Sequence, residues 1–171
     1  QRATVLETDL SVQRRIMEVN YFSVATLTRA CLTHLLSRPE SMVVTVSSVI
    51  GKVATPRRSA YAASKHAVIG FMDALRAETH GSVLHCLTVC PGYIRTPFPY
   101  SALLGDGRPQ AAMDDGQKNG MAPEDCARGI VKAMQNNKAE AYVGGKETLG
   151  IYIKNWCPPL YRWMITKVKI T

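Results

Sequence analysis

The stretch T-V-S-S-V-I-G-K-V-A-T-P-R-R-S-A-Y-A-A-S-K-H-A-V-I-G, residues 45–70, decides the fold. It begins inside Met42–Val46, a run of β-branched and apolar residues that predicts a buried parallel strand ending at Ser48. After a loop that contains Gly and Pro, residues 59–79 predict a helix rich in small side chains. Strand, loop and helix in this order predict one unit of an α/β fold.

Three side chains of this unit carry chemical meaning: Ser48, Tyr61 and Lys65. Tyr61 and Lys65 are four residues apart on the predicted helix, so they project from one face. A phenol with a pKa of about 10 exchanges protons poorly at neutral pH, and a lysine cation one turn away favours the phenolate. Such a tyrosine gives a proton to a carbonyl oxygen or takes one from an alcohol, while a serine at a rigid strand end holds that oxygen. The pattern predicts a proton-transfer site.

The Y-x-x-x-K spacing alone is weak, because a half-buried tyrosine beside a solvated lysine has the same spacing. A second copy, Tyr142 to Lys146, illustrates this: it reads Y-V-G-G-K, and its two glycines oppose a helix. The residue at the position equivalent to Ser48 is Gly129, which has no hydroxyl. The joint pattern of strand, Ser-Ser, Y-x-x-x-K and helix therefore favours residues 45–70 as the site.

Three blocks resemble the short-chain dehydrogenase/reductase family. V-S-S-V-I-G with Y-A-A-S-K-H-A is similar to the family's active-site region, and it is flanked by M-E-V-N-Y-F at Met17–Phe22 and C-P-G-Y-I-R-T at Cys90–Thr96. The blocks come in the family's order, and the resemblance covers nearly the whole chain.

The resemblance implies a role for each matching residue. The implied catalytic tetrad is Asn20, Ser48, Tyr61 and Lys65. In such enzymes the asparagine holds a water of the proton relay, and the lysine also binds the nicotinamide ribose. The implied cofactor contacts are Tyr61, Lys65, Pro91, Gly92, Ile94 and Thr96.

The implied function is an oxidoreductase that moves a hydride between NAD(P)(H) and the carbonyl or alcohol carbon of a small or lipid-like substrate. The implied cofactor is NADP(H) or NAD(H), with NADP(H) slightly favoured. Helices at residues 9–36 and 59–79 resemble the family's dimer-forming pair, so a homodimer or homotetramer is expected. The alternative is a non-catalytic remnant that acts as an oligomerisation module and cannot bind a dinucleotide alone.

This alternative arises because the family's Gly-rich turn and its N-N-A-G stretch do not occur in the chain. The turn binds the cofactor pyrophosphate with backbone N–H groups and a helix dipole. The expected fold is therefore the C-terminal part of a Rossmann-like, doubly wound parallel sheet in three α/β/α layers. Residues 1–145 form its partial domain, residues 98–121 a substrate loop, and residues 146–171 a basic, aromatic tail.

The remaining elements follow from periodicity. Helices are predicted from Asp9 to Leu36 and after Pro123, and strands at Val83–Cys90 and Glu140–Val143. The first strand, its helix and the next strand imply a right-handed crossover. Ligands of such sheets bind beyond the carboxyl ends of the strands, where Ser48 lies.

Composition limits the kinds of partner and metal that the chain is expected to bind. The chain has 171 residues, a net charge of +8 and scattered basic residues, which indicates a solvated surface and no nucleic-acid partner. Its five cysteines show no C-x-x-C and no spacing to histidine that would bind a metal, so free thiols in a reducing compartment and no metal are expected. The expected location is cytoplasmic, or peripheral on an intracellular membrane.

The tail combines Tyr152, Trp156, Tyr161 and Trp163 with lysines and an arginine, and Pro158-Pro159 divides it into two amphipathic pieces. One interpretation is that residues 150–171 lie on a membrane surface or cap an apolar substrate mouth. The other interpretation is a helix docked on the domain or on a sister subunit.

Overall fold

A three-stranded parallel sheet organises the computed structural model, which describes residues 1–168. The strands are β1 (Ser41–Val46), β2 (Leu84–Pro91) and β3 (Glu140–Val143), in the spatial order β1-β2-β3. The helices are α1 (Leu10–Met17), α2 (Ser23–Leu36), α3 (Ser59–Glu78), α4 (Asp115–Lys118), α5 (Pro123–Gln135), α6 (Leu149–Trp156) and α7 (Pro158–Ile165). The predicted strands and long helices are confirmed, with ends that differ by two residues at most.

Helices cover both faces of the sheet. Val43 of β1 and Cys86 of β2 face the cluster formed with Met72 and Leu75 of α3 and with α2. The strand residues that alternate with these face the opposite side of the sheet. There they pack against Ala133 and the rest of the inner face of α5. The sheet is buried on both sides, as the unbroken apolar run of β1 predicts, and the expected three-layer α/β/α fold is confirmed.

The two crossovers have opposite hands. The strands step across the sheet in one direction, from β1 to β2 to β3, yet α3 and α5 lie on opposite faces. Two connections of the same hand would put both helices on one face. One of the two therefore departs from the general right-handed rule.

The predicted helix from Asp9 to Leu36 contains an irregularity that the sequence did not indicate. Between α1 and α2 lies a π-helical segment, Glu18–Phe22, and the backbone at both of its ends stays right-handed helical. Such segments insert an extra residue into a helix and are frequent at functional sites. This one contains Asn20.

The predicted substrate loop, residues 98–121, has little regular structure beyond a 3₁₀ turn at Phe98–Ser101 and the short helix α4. Two isolated bridges involve this loop, Ile94 with Met121 and Leu103 with Pro109. The first ties the end of the loop to the segment after β2, and the second joins two parts of the loop to each other.

The tail docks on the domain. Ile151 of α6 is fully buried against Val49 and Val53, and Tyr161 and Ile165 of α7 pack on the same cluster. Its two helices meet at Cys157, as the proline pair predicts. The tail residues 169–171 lie outside the described part of the chain. No helix of the described residues is long and apolar enough to cross a membrane.

One edge of β1 has no neighbour among the described strands, so we predict that the chain alone self-associates through it. Ser41 N and Ser47 N donate to β2, so by the alternation of a parallel ladder the N–H of Met42 points to the open edge and that of Val43 points to β2. Met42→Pro should therefore suppress association without unfolding the chain, whereas Val43→Pro should unfold it.

Sedimentation velocity over a range of concentrations measures the association, and thermal melting checks the fold. A chain that stays monomeric at every concentration contradicts the prediction, and association that survives Met42→Pro assigns it to another surface.

Candidate active site

A cavity of about 710 Å³ opens at the carboxyl ends of the strands. It lies between the ends of β1 and β2, the first turn of α3 and the tail helices. The sequence-predicted residues that line it are Ser48, Tyr61, Lys65, Pro91, Gly92, Ile94 and Thr96. Asn20 is the predicted site residue that does not line it. The position matches the expectation for a parallel sheet.

Ser48 comes directly after β1, where it caps the 3₁₀ turn Val49–Gly51. Its Oγ accepts a hydrogen bond from Ile50 N at 3.3 Å and donates to Pro91 O at 3.4 Å. The hydroxyl also faces the phenol of Tyr61 and lowers the phenol's pKa by hydrogen bonding. Ser48 thus joins the end of β1 to the end of β2 and to α3.

Tyr61 and Lys65 share one face of α3, and Lys65 Nζ lies 6.0 Å from the centroid of the Tyr61 ring. Lys65 Nζ donates a hydrogen bond to Val46 O at 2.9 Å. Burial raises the pKa of Tyr61. The Ser48 hydrogen bond and the charges of Arg58 and Arg2 lower it and so offset part of this rise. Burial also lowers the pKa of Lys65.

The electrostatic role predicted for Lys65 needs correction. The sequence suggested that its ammonium lowers the pKa of Tyr61, but that pKa is raised, and the cations that act on it are Arg58 and Arg2. The physical reason for the raised pKa is burial of the phenol, while the Lys65 ammonium donates to the carbonyl at the end of β1. Helical spacing places Lys65 near Tyr61 without fixing where its charge points.

Asn20 contacts helix α3 outside the main cavity. Its Nδ2 donates to Ser64 Oγ at 3.0 Å, and that hydroxyl donates to Tyr61 O at 2.8 Å. Asn20 also lines a smaller cavity of about 210 Å³, and Tyr61 borders both cavities. Tyr61 therefore lies between the main cavity and the Asn20 side. Ser64 was missed because its small side chain was interpreted only as helix packing.

Glu147 is another residue that the sequence did not single out. Its Oε1 accepts hydrogen bonds from Tyr93 N at 2.8 Å and Gly145 N at 3.0 Å, which ties the ends of β2 and β3 together. The carboxylate lies so close to Gly92 that a Cβ there would overlap Glu147 Oε1. A side chain at position 92 would therefore displace the Glu147 carboxylate from these two hydrogen bonds.

The chain's own residues fit one end of a nicotinamide cofactor. A lysine ammonium has three N–H donors, and Lys65 gives one of them to Val46 O, which leaves donors for ribose hydroxyls. Ile94 and Thr96 add an apolar and a hydroxyl-bearing side chain at the end of β2. These residues could hold the nicotinamide and its ribose, whereas no Gly-rich turn for the pyrophosphate occurs in the sequence.

The chain belongs to the short-chain dehydrogenase/reductase family. The family's sequence model, described as short chain dehydrogenase, matches residues 1–102. A relative in Danio rerio, "Dehydrogenase/reductase SDR family member 7B", is 42% identical over 161 residues, which are 94% of this chain and 52% of the relative. "Dehydrogenase/reductase SDR family protein 7-like" of Drosophila melanogaster is 36% identical over 167 residues, or 97% of this chain and 51% of that protein. The chain therefore spans about half the length of these relatives.

Solved structures confirm the fold. A short chain dehydrogenase from Burkholderia cenocepacia in complex with NADP matches with a TM-score of 0.79 at 23% identity, over 96% of this chain and 64% of that one. A putative short chain dehydrogenase from Shigella flexneri complexed with NADP matches with a TM-score of 0.69 at 26% identity, over 83% of this chain and 57% of that one.

Burial of Tyr61 makes stability depend on pH. Because its folded pKa is raised above the unfolded value of 10.0, the neutral phenol contributes stability below pH 10, and that stability is lost as the pH rises through the folded pKa. We expect the wild-type chain to lose more unfolding free energy between pH 8 and pH 11 than Tyr61→Phe does. Urea unfolding at both pH values measures this, with Tyr100→Phe, a change at an exposed tyrosine, as control. Equal losses in wild type and Tyr61→Phe would contradict it.

Proposed function

We propose that the protein containing this chain is an NAD(P)-dependent oxidoreductase that interconverts a carbonyl group and an alcohol, with Tyr61 as general acid and base. The observation that carries the proposal is the convergence of Ser48, Tyr61 and Lys65 on one cavity at the carboxyl ends of the strands. The family membership supports this class of reaction.

Each side chain has a distinct part. The Ser48 hydroxyl holds the substrate oxygen, because it is fixed at the end of β1 beside the phenol. The Tyr61 hydroxyl gives that oxygen a proton during reduction and takes one during oxidation. Lys65 binds ribose hydroxyls with the N–H donors that Val46 O leaves free. The nicotinamide, when bound, supplies or accepts the hydride.

Asn20 orients helix α3, which carries Tyr61, through Ser64. The chain of hydrogen bonds from Asn20 Nδ2 to Ser64 Oγ and on to Tyr61 O fixes the first turn of α3. Asn20 lies within the π-helical segment Glu18–Phe22. A water held by Asn20 in the smaller cavity would connect to the far side of Tyr61, as the family's proton relay requires.

The cavity suits a hydrophobic alcohol or ketone. Its wall next to the tail consists of apolar side chains, among them Ile153, Met164 and Ile165. Apolar surface of this kind favours a lipid-like substrate, since its burial removes apolar area from water. NADP(H) is the favoured cofactor, in keeping with the Shigella flexneri structure complexed with NADP.

Replacement of the phenol tests the assignment of Tyr61. In the complete enzyme we expect Tyr61→Phe to remove nearly all turnover, because the general acid is lost, and to leave cofactor affinity largely unchanged. A fall of about 10²–10⁴-fold in kcat is the usual contribution of such a group.

Steady-state kinetics with NADPH and an apolar ketone measures the effect. Tyr142→Phe, in the second Y-x-x-x-K copy, is the matched control and should keep wild-type turnover. Wild-type turnover in Tyr61→Phe would defeat the assignment.

The second candidate function is a non-catalytic oligomerisation module. Its support is the apolar surface of the long N-terminal helix, where Val19, Phe22 and Leu27 are exposed, in the helix that resembles half of the family's dimer-forming pair. Such a module would pair with a second copy without holding a dinucleotide.

Calorimetric titration of the 171-residue chain with NADPH separates the two candidates. Because the residues for the nicotinamide end are present, the enzyme hypothesis predicts binding that Lys65→Met weakens. Dimerisation without measurable NADPH binding would favour the module instead.

A further inference from the structure

A buried cluster of charged side chains lies beside Tyr61, and the proton transfer proposed above makes no use of it. Arg58 Nη2 lies 3.1 Å from Asp114 Oδ2, and Arg2 Nε lies 3.3 Å from Asp114 Oδ1. A further contact joins the Arg2 guanidinium to Asp114 Oδ2. Gln110 Nε2 donates to Asp114 Oδ1 at 2.9 Å. The side chains of Arg2, Arg58 and Asp114 are only 7%, 8% and 4% exposed.

The cluster joins three separate parts of the chain. Arg2 comes from the N-terminal segment, Arg58 directly precedes α3, and Asp114 belongs to the loop of residues 98–121. Two guanidiniums share one carboxylate, so the cluster carries an excess of one positive charge. Buried charge is expensive unless it is paired, and an excess of this kind is unusual in a protein interior.

The excess charge lies next to the tyrosine. Arg58 is three residues before Tyr61 and lines the same cavity of about 710 Å³. Its Nε has no hydrogen-bond partner among the described residues, so Asp114 and its neighbours leave part of the guanidinium unsatisfied. Both Arg58 and Arg2 lower the pKa of Tyr61, in opposition to burial.

We propose that the Arg2–Asp114–Arg58 cluster stabilises the phenolate form of Tyr61, and that Asp114 limits how much of the positive charge the phenol experiences. This inference rests on the proposed function, which gives Tyr61 a proton to transfer. Arg2, Arg58 and Asp114 act through Tyr61 and are positioning residues. Because Asp114 lies on the loop beside the cavity, the placement of that loop sets the charge around the phenol.

Other groups also face the site. Ser48 lies after β1, Lys65 one turn along α3, and Tyr93 after β2, where its phenol interacts with Arg58. On the loop side, the Phe98 ring lies 6.0 Å from that of Tyr61 and carries no charge. All of these groups stay unchanged in the variants below.

The test is a titration of Tyr61 itself, followed by NMR in the chain labelled with ¹³Cζ-tyrosine. The Tyr61 signal is the one missing in Tyr61→Phe. We expect Arg58→Gln to raise the midpoint of titration by about one pH unit, the low end of the usual effect of a neighbouring charge. Arg58→Lys keeps the charge and should stay close to wild type.

Asp114→Asn should lower the midpoint, because it removes the negative charge that offsets the guanidiniums. Asp106→Asn is its matched control, since Asp106 is on the same loop, is paired with Arg108 and is 48% exposed. It should leave the midpoint unchanged.

The upward shift separates charge from loosened packing. Loosening would expose the phenol and lower its midpoint, whereas loss of the charge raises it. The proposal is overturned if Arg58→Gln and Arg58→Lys shift the midpoint equally, if Arg58→Gln lowers it, or if Asp114→Asn leaves it unchanged. Should Arg58→Gln not fold, Arg2→Gln replaces it and should also raise the midpoint of the Tyr61 titration. Arg2→Lys, which keeps the charge, is then the control. The titration needs neither cofactor nor turnover, so a failure of the proposed function would appear separately.

Discussion

The parallel pairing of β1 with β2 is the constraint on which the site depends. The register runs from Ser41 opposite Leu84 to Val46 opposite Val89, and Ser47 N extends it by donating to Val89 O at 2.7 Å. Because both strands run in the same direction, their carboxyl ends meet at one edge of the sheet. The Ser48 hydroxyl thereby comes within 3.4 Å of Pro91 O.

The connection between these strands then places the tyrosine and the lysine. Helix α3 packs against the turn after β1 so closely that Ser47 Oγ donates to Lys65 O at 3.0 Å. Gly51 makes this approach feasible, since a Cβ there would lie 2.9 Å from the same carbonyl oxygen. The helix, once held here, directs Tyr61 and Lys65 into the space beyond the strand ends, and the tail helices enclose that space.

Much of this architecture could be predicted from local sequence. Strand β3 begins and ends at the predicted residues, Glu140–Val143, and the predicted division of the tail falls at Cys157. The grouping of Ser48, Tyr61 and Lys65 also followed from the sequence, because a strand end and the first turn of the next helix must meet at the same edge of a parallel sheet.

The rest depends on contacts between segments that are distant in sequence. The Arg2–Asp114–Arg58 cluster brings together three parts of the chain, and no local pattern encodes their meeting. The hydrogen bond from Lys65 Nζ to Val46 O was not predicted for a related reason, since helical spacing does not determine which carbonyl a long side chain reaches. The π-helical segment at Asn20 is equally invisible to apolar periodicity, which continues through it.

The most direct test of the site formed by Ser48, Tyr61 and Lys65 is a crystal structure of the complete enzyme with nicotinamide cofactor and a ketone bound. The account predicts that the ketone oxygen lies within roughly 2.6–3.2 Å of both Ser48 Oγ and the Tyr61 hydroxyl oxygen. This is the distance between donor and acceptor atoms over which a proton can be transferred. A ketone bound with its oxygen away from both hydroxyls, while the cofactor occupies the end of β2, would contradict it.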